Sequence, residues 1–209
     1  MENYQELIHT ISLTMGAAWA SGINLYATIL VLGILGITEA ITLPAGLEIL
    51  TNPTIIVAAG IMYLVEFFAD KIPAVDSAWD SVHTFIRIPL GALLAAEAIG
   101  SANPAITIAA AILGGGLAAG SHAAKAGTRV MINASPEPFT NVAASIGEDV
   151  AVVAGLWTAL NHPSIFLGFL VVFIILLIWL LPKIWRGIKR VFRAIGRLFG
   201  GKKPDAVGT

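Results

Sequence analysis

SIFLGFLVVFIILLIWLL, residues Ser164 to Leu181, is a run of eighteen residues without a charge. It nearly meets the ~20 apolar residues that a helix needs to cross the hydrocarbon of a bilayer. The rest of the chain agrees with it. Hydrophobic residues make up 57% of the 209 positions and charged ones 12%, about half the usual charged share. The mean hydropathy is +0.85. So few charges would not cover the surface of a soluble domain of this size. With 21 glycines against 9 Phe, 5 Trp and 3 Tyr, the apolar mass is mainly small and aliphatic, as in packed transmembrane helices. A nucleic-acid-binding domain, a disordered chain and a disulfide-stapled module are poor fits. Having no cysteine, the chain has no disulfide, thiolate metal site or cysteine nucleophile.

Working outward from this run, apolar stretches bounded by Pro, Asn, Gly or charge mark five more spans. They cover about Gly16–Ile37, Thr54–Ala69, Val82–Gly100, Ala105–Ala124 and Asn141–Leu160. The connections Thr38–Asn52, Ser101–Pro104 and Asn161–Ser164 contain no Lys or Arg. With six spans, all 12 Lys and Arg fall at the other end. The positive-inside rule makes that end cytoplasmic, with both termini inside. MENYQELIHT is acidic and lacks the basic region of a cleavable signal. Tyr4 to Met15 is expected to form a short interfacial helix.

The expected fold is therefore an all-α integral membrane protein, a six-transmembrane-helix bundle over residues 1–182. Two tandem helical hairpins, about 53–103 and 104–162, repeat within it. Pro53-TIIVAAGIMYL and Pro104-AITIAAAILGG each open a span from an outer turn and lead to a polar inner loop. After Pro182, Ile184, Ile188, Val191, Phe192, Ile195, Leu198 and Phe199 recur at helical spacing, opposite Arg186, Lys189, Arg190, Arg193 and Arg197. Residues 183–201 read as a basic amphipathic helix lying on anionic lipid headgroups. Residues 202–209 read as a disordered tail. Gly- and Ala-rich faces would allow copies to associate as a homo-oligomer.

The chemistry concentrates in two inner segments, EFFADKIPAVDSAWDSVHTFIRIP (Glu66–Pro89) and SHAAKAGTRVMINASPEPFTNVAASIGED (Ser121–Asp149). Asp76, Asp80 and His83 share one helical face, and His122, Lys125 and Arg129 share another, so an acidic and a basic stripe can face each other. Asp70, Arg87 and Asn133 join them as candidate solute-binding residues. Glu148 and Asp149 lie two turns into a span, where a carboxylate is costly unless paired, hydrated or protonated. With Asn24 they are the candidates for proton or cation coupling. Asn24, beside Ser21-Gly22, reads as an interhelical hydrogen-bonding group or a local unwinding. Prolines 73, 89, 136 and 138 interrupt the helices nearby, which predicts a hydrated vestibule open to the cytoplasm.

Three readings stay open: passage of a small polar solute or ion, a structural scaffold whose charges are only internal salt bridges, and a metal-dependent enzyme. Two histidines among carboxylates suit zinc or manganese, but no HExxH occurs. No Walker A sequence is present either. No cofactor is expected, and the balance leans away from an enzyme. His9, His162 and Glu97 lie outside the cluster.

DKIPAVDSAWDSVHTFIRIPLGALLAA, HAAKAGTRVMINASPEPFTN and SIGED together resemble a bacterial membrane family known as domain of unknown function 4126. The resemblance implies a bacterial inner-membrane protein and brings no reaction or ligand. It also implies that Asp70, Lys71, Pro73, Asp76, Ser77, Trp79, Asp80, His83 and Arg87 belong to the family pattern. So do His122, Lys125, Gly127, Arg129, Asn133, Ser135, Pro136, Glu148 and Asp149.

Overall fold

Proline and asparagine punctuate this chain. The structure, a computed structural model, describes residues 2–100, 103–133 and 138–199. Every regular element among them is helical: α1 (Glu2–Ile23), α2 (Leu25–Ile37), a 3-10 turn (Ala45–Thr51), α3 (Pro53–Ala69), α4 (Pro73–Ala98), α5 (Pro104–Asn133), α6 (Pro138–Asn161) and α7 (Pro163–Phe199). Each helix from α3 onward starts on a proline, where the missing N–H costs nothing and φ is already helical. Asn52 caps α3 through the Thr54 N–H at 2.9 Å, and Asn103 accepts from the Ala105 N–H at 2.9 Å in the same way. The two proposed repeats thus open on the same Asn-Pro device.

Among the described residues three helices, α5, α6 and α7, are long and apolar enough to cross a membrane. A fourth crossing results if the 3-10 turn and α3, bent by 69°, count as one span. α4 carries Asp76, Asp80 and Arg87 along its length, and α2 has only 13 residues.

The first expected span is not one helix. The chain breaks at Asn24, whose backbone is extended (φ −144°, ψ 100°) and whose Oδ1 accepts the Ala27 N–H at 2.9 Å. α2 then returns towards the end from which α1 came. Ser12 in the middle of α1 donates to Ala159 O at 2.8 Å, and Asn24 just past its end meets Asp149 at 3.0 Å, so α1 runs antiparallel to α6. His9 and Thr10 line one cavity with Ile41 and Thr42, from just beyond α2. α1 and α2 therefore form a V with its vertex at Asn24. The start of α1 lies at the α6–α7 end, not at the end of the Lys and Arg. That placement, at the end away from Lys125 and Arg129, differs from the one a single first span would give. Of the expected Tyr4–Met15 interfacial helix, Tyr4 to Leu7 are exposed, whereas Ser12 onward to Ile23 is packed in the centre against α4, α5 and α6.

Both proposed hairpins reverse at the polar end, yet the helices within each hardly touch. α4 and α5 make the closest pair instead, with α1 against both. Small residues permit this. A Cβ on Gly22 would sit inside van der Waals contact of Ser121 Oγ and the Ala118 carbonyl, and one on Gly114 would strike Ala95. Gly22→Ala is expected to destabilise the bundle by about 1–3 kcal/mol, the usual range for overpacking. Gly116, whose Cβ would meet nothing within 4 Å, should accept alanine without loss. Thermal unfolding in detergent compares the two, and an equal midpoint for both variants would contradict this packing.

α7 differs from expectation as well. It continues through Pro182 as one helix of 37 residues, about 55 Å at 1.5 Å per residue, against a hydrocarbon core of about 30 Å. Ile184 is buried beside Gly127 and Gly187 lies against Met131. Packing on α5 accompanies the helix past the proline, so that residues 183–199 continue α7 and do not start a separate helix. The tail from residue 200 and the stretch 134–137, with Ser135, Pro136 and Glu137, lie outside the described residues.

Candidate functional site

Antiparallel packing of α4 on α5 brings the acidic stripe onto the basic one. Arg129 faces Asp76, Lys125 faces Asp80, and His122 reaches Arg87 and Thr84. The last turn of α3 adds Glu66, the turn after it adds Asp70, and α6 adds Asn141 and Glu148. Nine ion-pair contacts join these groups, over side chains that are 0–5% exposed save for Glu148 at 18%.

Three cations organise the network. Lys125 Nζ is the hub, at 3.1 Å from Glu66, 3.2 Å from Asp70, 3.6 Å from Glu148 and 3.7 Å from Asp80. Arg87, fully buried, donates to Glu66 at 2.5 Å and to Asp80 at 3.0 Å. Arg129 grips Glu148 with two bonds of 3.0 and 2.8 Å and donates to Asn141 Oδ1 at 2.6 Å. Asn141 in turn donates to the Asp70 carbonyl at 2.8 Å. Asn133 donates to Asp76 at 2.6 Å.

The histidines sit in hydrogen-bonding roles. Arg87 can only donate, so His122 Nδ1 accepts at 3.2 Å, and its Nε2–H points to Thr84 Oγ1 at 2.6 Å. That is the neutral tautomer. His83 stacks on Trp79 at 4.2 Å, donates through Nδ1 to the Trp79 carbonyl and meets the Tyr26 hydroxyl at Nε2. Among the described residues no three His, Asp or Glu side chains are spaced to hold a metal ion.

A second polar group lies at the vertex of the V. Asp149 accepts from Asn24 at 3.0 Å and from the Tyr63 hydroxyl at 3.1 Å. Asn24 therefore fills both roles read from the sequence, helix break and interhelical bond. Non-helical backbone at such depth persists only where protein surrounds it or a cavity wets it.

The charges do not balance. Four buried acids, Glu66, Asp70, Asp76 and Asp80, and the half-buried Glu148 face Arg87, Lys125 and Arg129; the half-buried Asp149 lies on Asn24 and Tyr63, and Lys71 stays at the rim, on the Phe67 carbonyl and ring. Glu66 Oε2, Asp70 Oδ1 and Asp80 Oδ2 receive no hydrogen bond from the protein. Burial pushes the carboxyl of Asp70, in the turn outside the helices, up to about 7, with Lys125 pulling against it.

The expected open vestibule is absent at these groups. The cluster is closed over by its own ion pairs; Glu148 and Lys125 border a cleft between α5 and α6, and His122 borders another beside α7. Glu66 and Asn141 are central although the sequence reasoning left them out of the site. Glu66 had a readable signal, a lone carboxylate in the last turn of an apolar span. Tyr26, Tyr63 and Thr84 carried no signal, because their role depends on the V and on the α4–α5 register. His9, His162 and Glu97 lie at the far end: Glu97 packs on Gly46 and His162 on Trp157.

Fold and site together define an all-helical protein, with helices able to span a membrane, built around a buried ionic network. The chain belongs to the family described as domain of unknown function (DUF4126), which matches residues 11–183. No curated protein and no solved structure matches it.

Proposed function

We propose that this chain is a multi-pass inner-membrane carrier for a small cation, a proton included, held in an occluded state. The excess of buried carboxylates over cations supports this reading. A network that served only to join helices gains nothing from surplus like charge, which is costly to bury. A site that takes up and releases a cation needs that surplus. Asp70, Asp76, Asp80, Glu66 and Glu148 would hold the cation. Lys125, Arg87 and Arg129 would stand in for it when the site is empty, with Asn133, His83 and His122 positioning them. Asp149 and Asn24, at a broken helix, resemble the discontinuous-helix sites of known carriers. In this reading the end bearing Lys and Arg is cytoplasmic. α3 to α7 cross the bilayer, and α1–α2 dips in from the opposite face. Exposed Lys183, Arg186, Lys189, Arg190 and Arg193 on α7 would meet anionic lipid headgroups.

The closure of the cluster by nine ion pairs favours a second reading, a static scaffold. Flux separates the two. Proteoliposomes holding the wild-type chain are expected to dissipate a proton, sodium or potassium gradient. Glu148→Gln with Asp149→Asn should slow this at least about tenfold, equivalent to ~1.4 kcal/mol on the barrier. Unchanged flux in the double variant, or no flux in the wild type, would leave the scaffold.

A further inference from the structure

α5 and α6 follow one another in the chain but scarcely touch. The Arg129–Glu148 pair bridges them, and beside it opens a cleft of about 330 Å³. Its walls are small: Ala124 and Thr128 on α5, Ala144 and Gly147 on α6, with Lys125 and Glu148 at its floor. Phe173 of α7 borders it on one side. A Cβ on Gly147 would meet nothing within 4 Å. The cleft ends on the one carboxylate of the network with appreciable exposure, at 18% against 5% or less for the acids behind it.

We propose that this cleft is the hydrated entry by which a small cation reaches the buried cluster, with Glu148 as the first ligand it meets. The inference rests on the carrier reading and names its route. Three features favour a cation over an anion or an apolar guest. Glu148 lines the cleft and is the most exposed acid of the network. Lys125, the only cation at the floor, is already surrounded by four carboxylates. Unpartnered oxygens of Glu66, Asp70 and Asp80 lie behind it. An arriving cation would share Glu148 with Arg129, and the flexible Lys125 stem allows its ammonium to yield position. The small walls leave room for water, which a charged species must keep at this depth.

The absence of cysteine makes the test direct. Gly147→Cys places a thiol in the cleft, and Ile146→Cys places one on the outward face of the same helix, where Ile146 is 48% exposed. A trimethylammonium methanethiosulfonate is the probe, applied before reconstitution. Gly147→Cys is expected to react at least about tenfold faster, because only the thiolate reacts and a thiol facing apolar surroundings stays protonated. The resulting adduct should stop cation flux in proteoliposomes. A rate no faster than that of Ile146→Cys, or wild-type flux after full modification, overturns the proposal. Absence of flux in the untreated wild type defeats the carrier reading itself, and is a separate outcome from an inert cleft in a chain that does transport.

Discussion

A cysteine at Tyr4 and one at Lys189, introduced singly, are expected to react with an impermeant thiol reagent from opposite faces of sealed vesicles. The effect is all-or-none, and it follows from Asn24. Residues Gly16 to Ile37 are long enough for one crossing. As one helix they would put Tyr4 on the side of Lys125. The structure folds this stretch into a V, with the bond from Ser12 to Ala159 at one end and that from Asn24 to Asp149 at the other. A broken helix leaves backbone donors exposed at depth, at several kcal/mol each if nothing satisfies them. Here Asn24 Oδ1 takes the Ala27 N–H, and the Asn24 carbonyl accepts both the Thr28 N–H and its hydroxyl. Both positions are accessible, since Tyr4 and Lys189 are exposed. Reaction of both cysteines from the same face would restore the single span and remove the vertex site at Asp149.

The V also leaves the segregation of charge intact. The first fifteen residues carry no Lys or Arg, so moving them to the opposite end costs the positive-inside argument nothing. Charge placement alone therefore fits either fold of the first stretch, and the sequence could not choose between them. The starts of α3, α5 and α7 were legible, because Pro at the first position acts locally, whereas α4 starts at Pro73, well before the expected Val82. The facing stripes on α4 and α5 were legible because i, i+4, i+7 and i, i+3, i+7 spacings keep residues on one face of any helix. What was not legible depends on distant partners. Pro182 reads as a stop, yet α7 runs past it, accompanied by contacts with Gly127 and Met131. The prolines around the cluster suggested an open mouth, but Pro73 simply starts α4 and Pro89 is absorbed within it. Whether six carboxylates meet water or one another is set by helix register, which spacing within one segment does not fix.

Lys125→Met is expected to cost the most stability of any single charge removal. Lys125 Nζ lies within 3.7 Å of four carboxylates, so each loses a partner at once. Breaking a buried pair from one side costs about 3–5 kcal/mol, because the remaining charge is stranded. Methionine keeps much of the stem volume, so packing alone would not produce a loss of that size. The loss should also depend on pH. Burial already raises the carboxyl of Asp70 from 3.8 to about 7, against the pull of Lys125. Without Lys125 it rises further. A raised carboxyl retains its proton in the folded state at a pH where the unfolded chain has lost it. Folding is therefore favoured at low pH, and that stability is lost as pH climbs from about 4 through 7 and beyond. The variant should unfold closer to wild type at pH 5 than at pH 8, as read by thermal midpoints in detergent. Lys189→Met, which removes an equal charge from an exposed position, should shift neither midpoint. A Lys125→Met deficit equal at both pH values would mean that Lys125 fills space between α3, α5 and α6 and does not neutralise the acids around it.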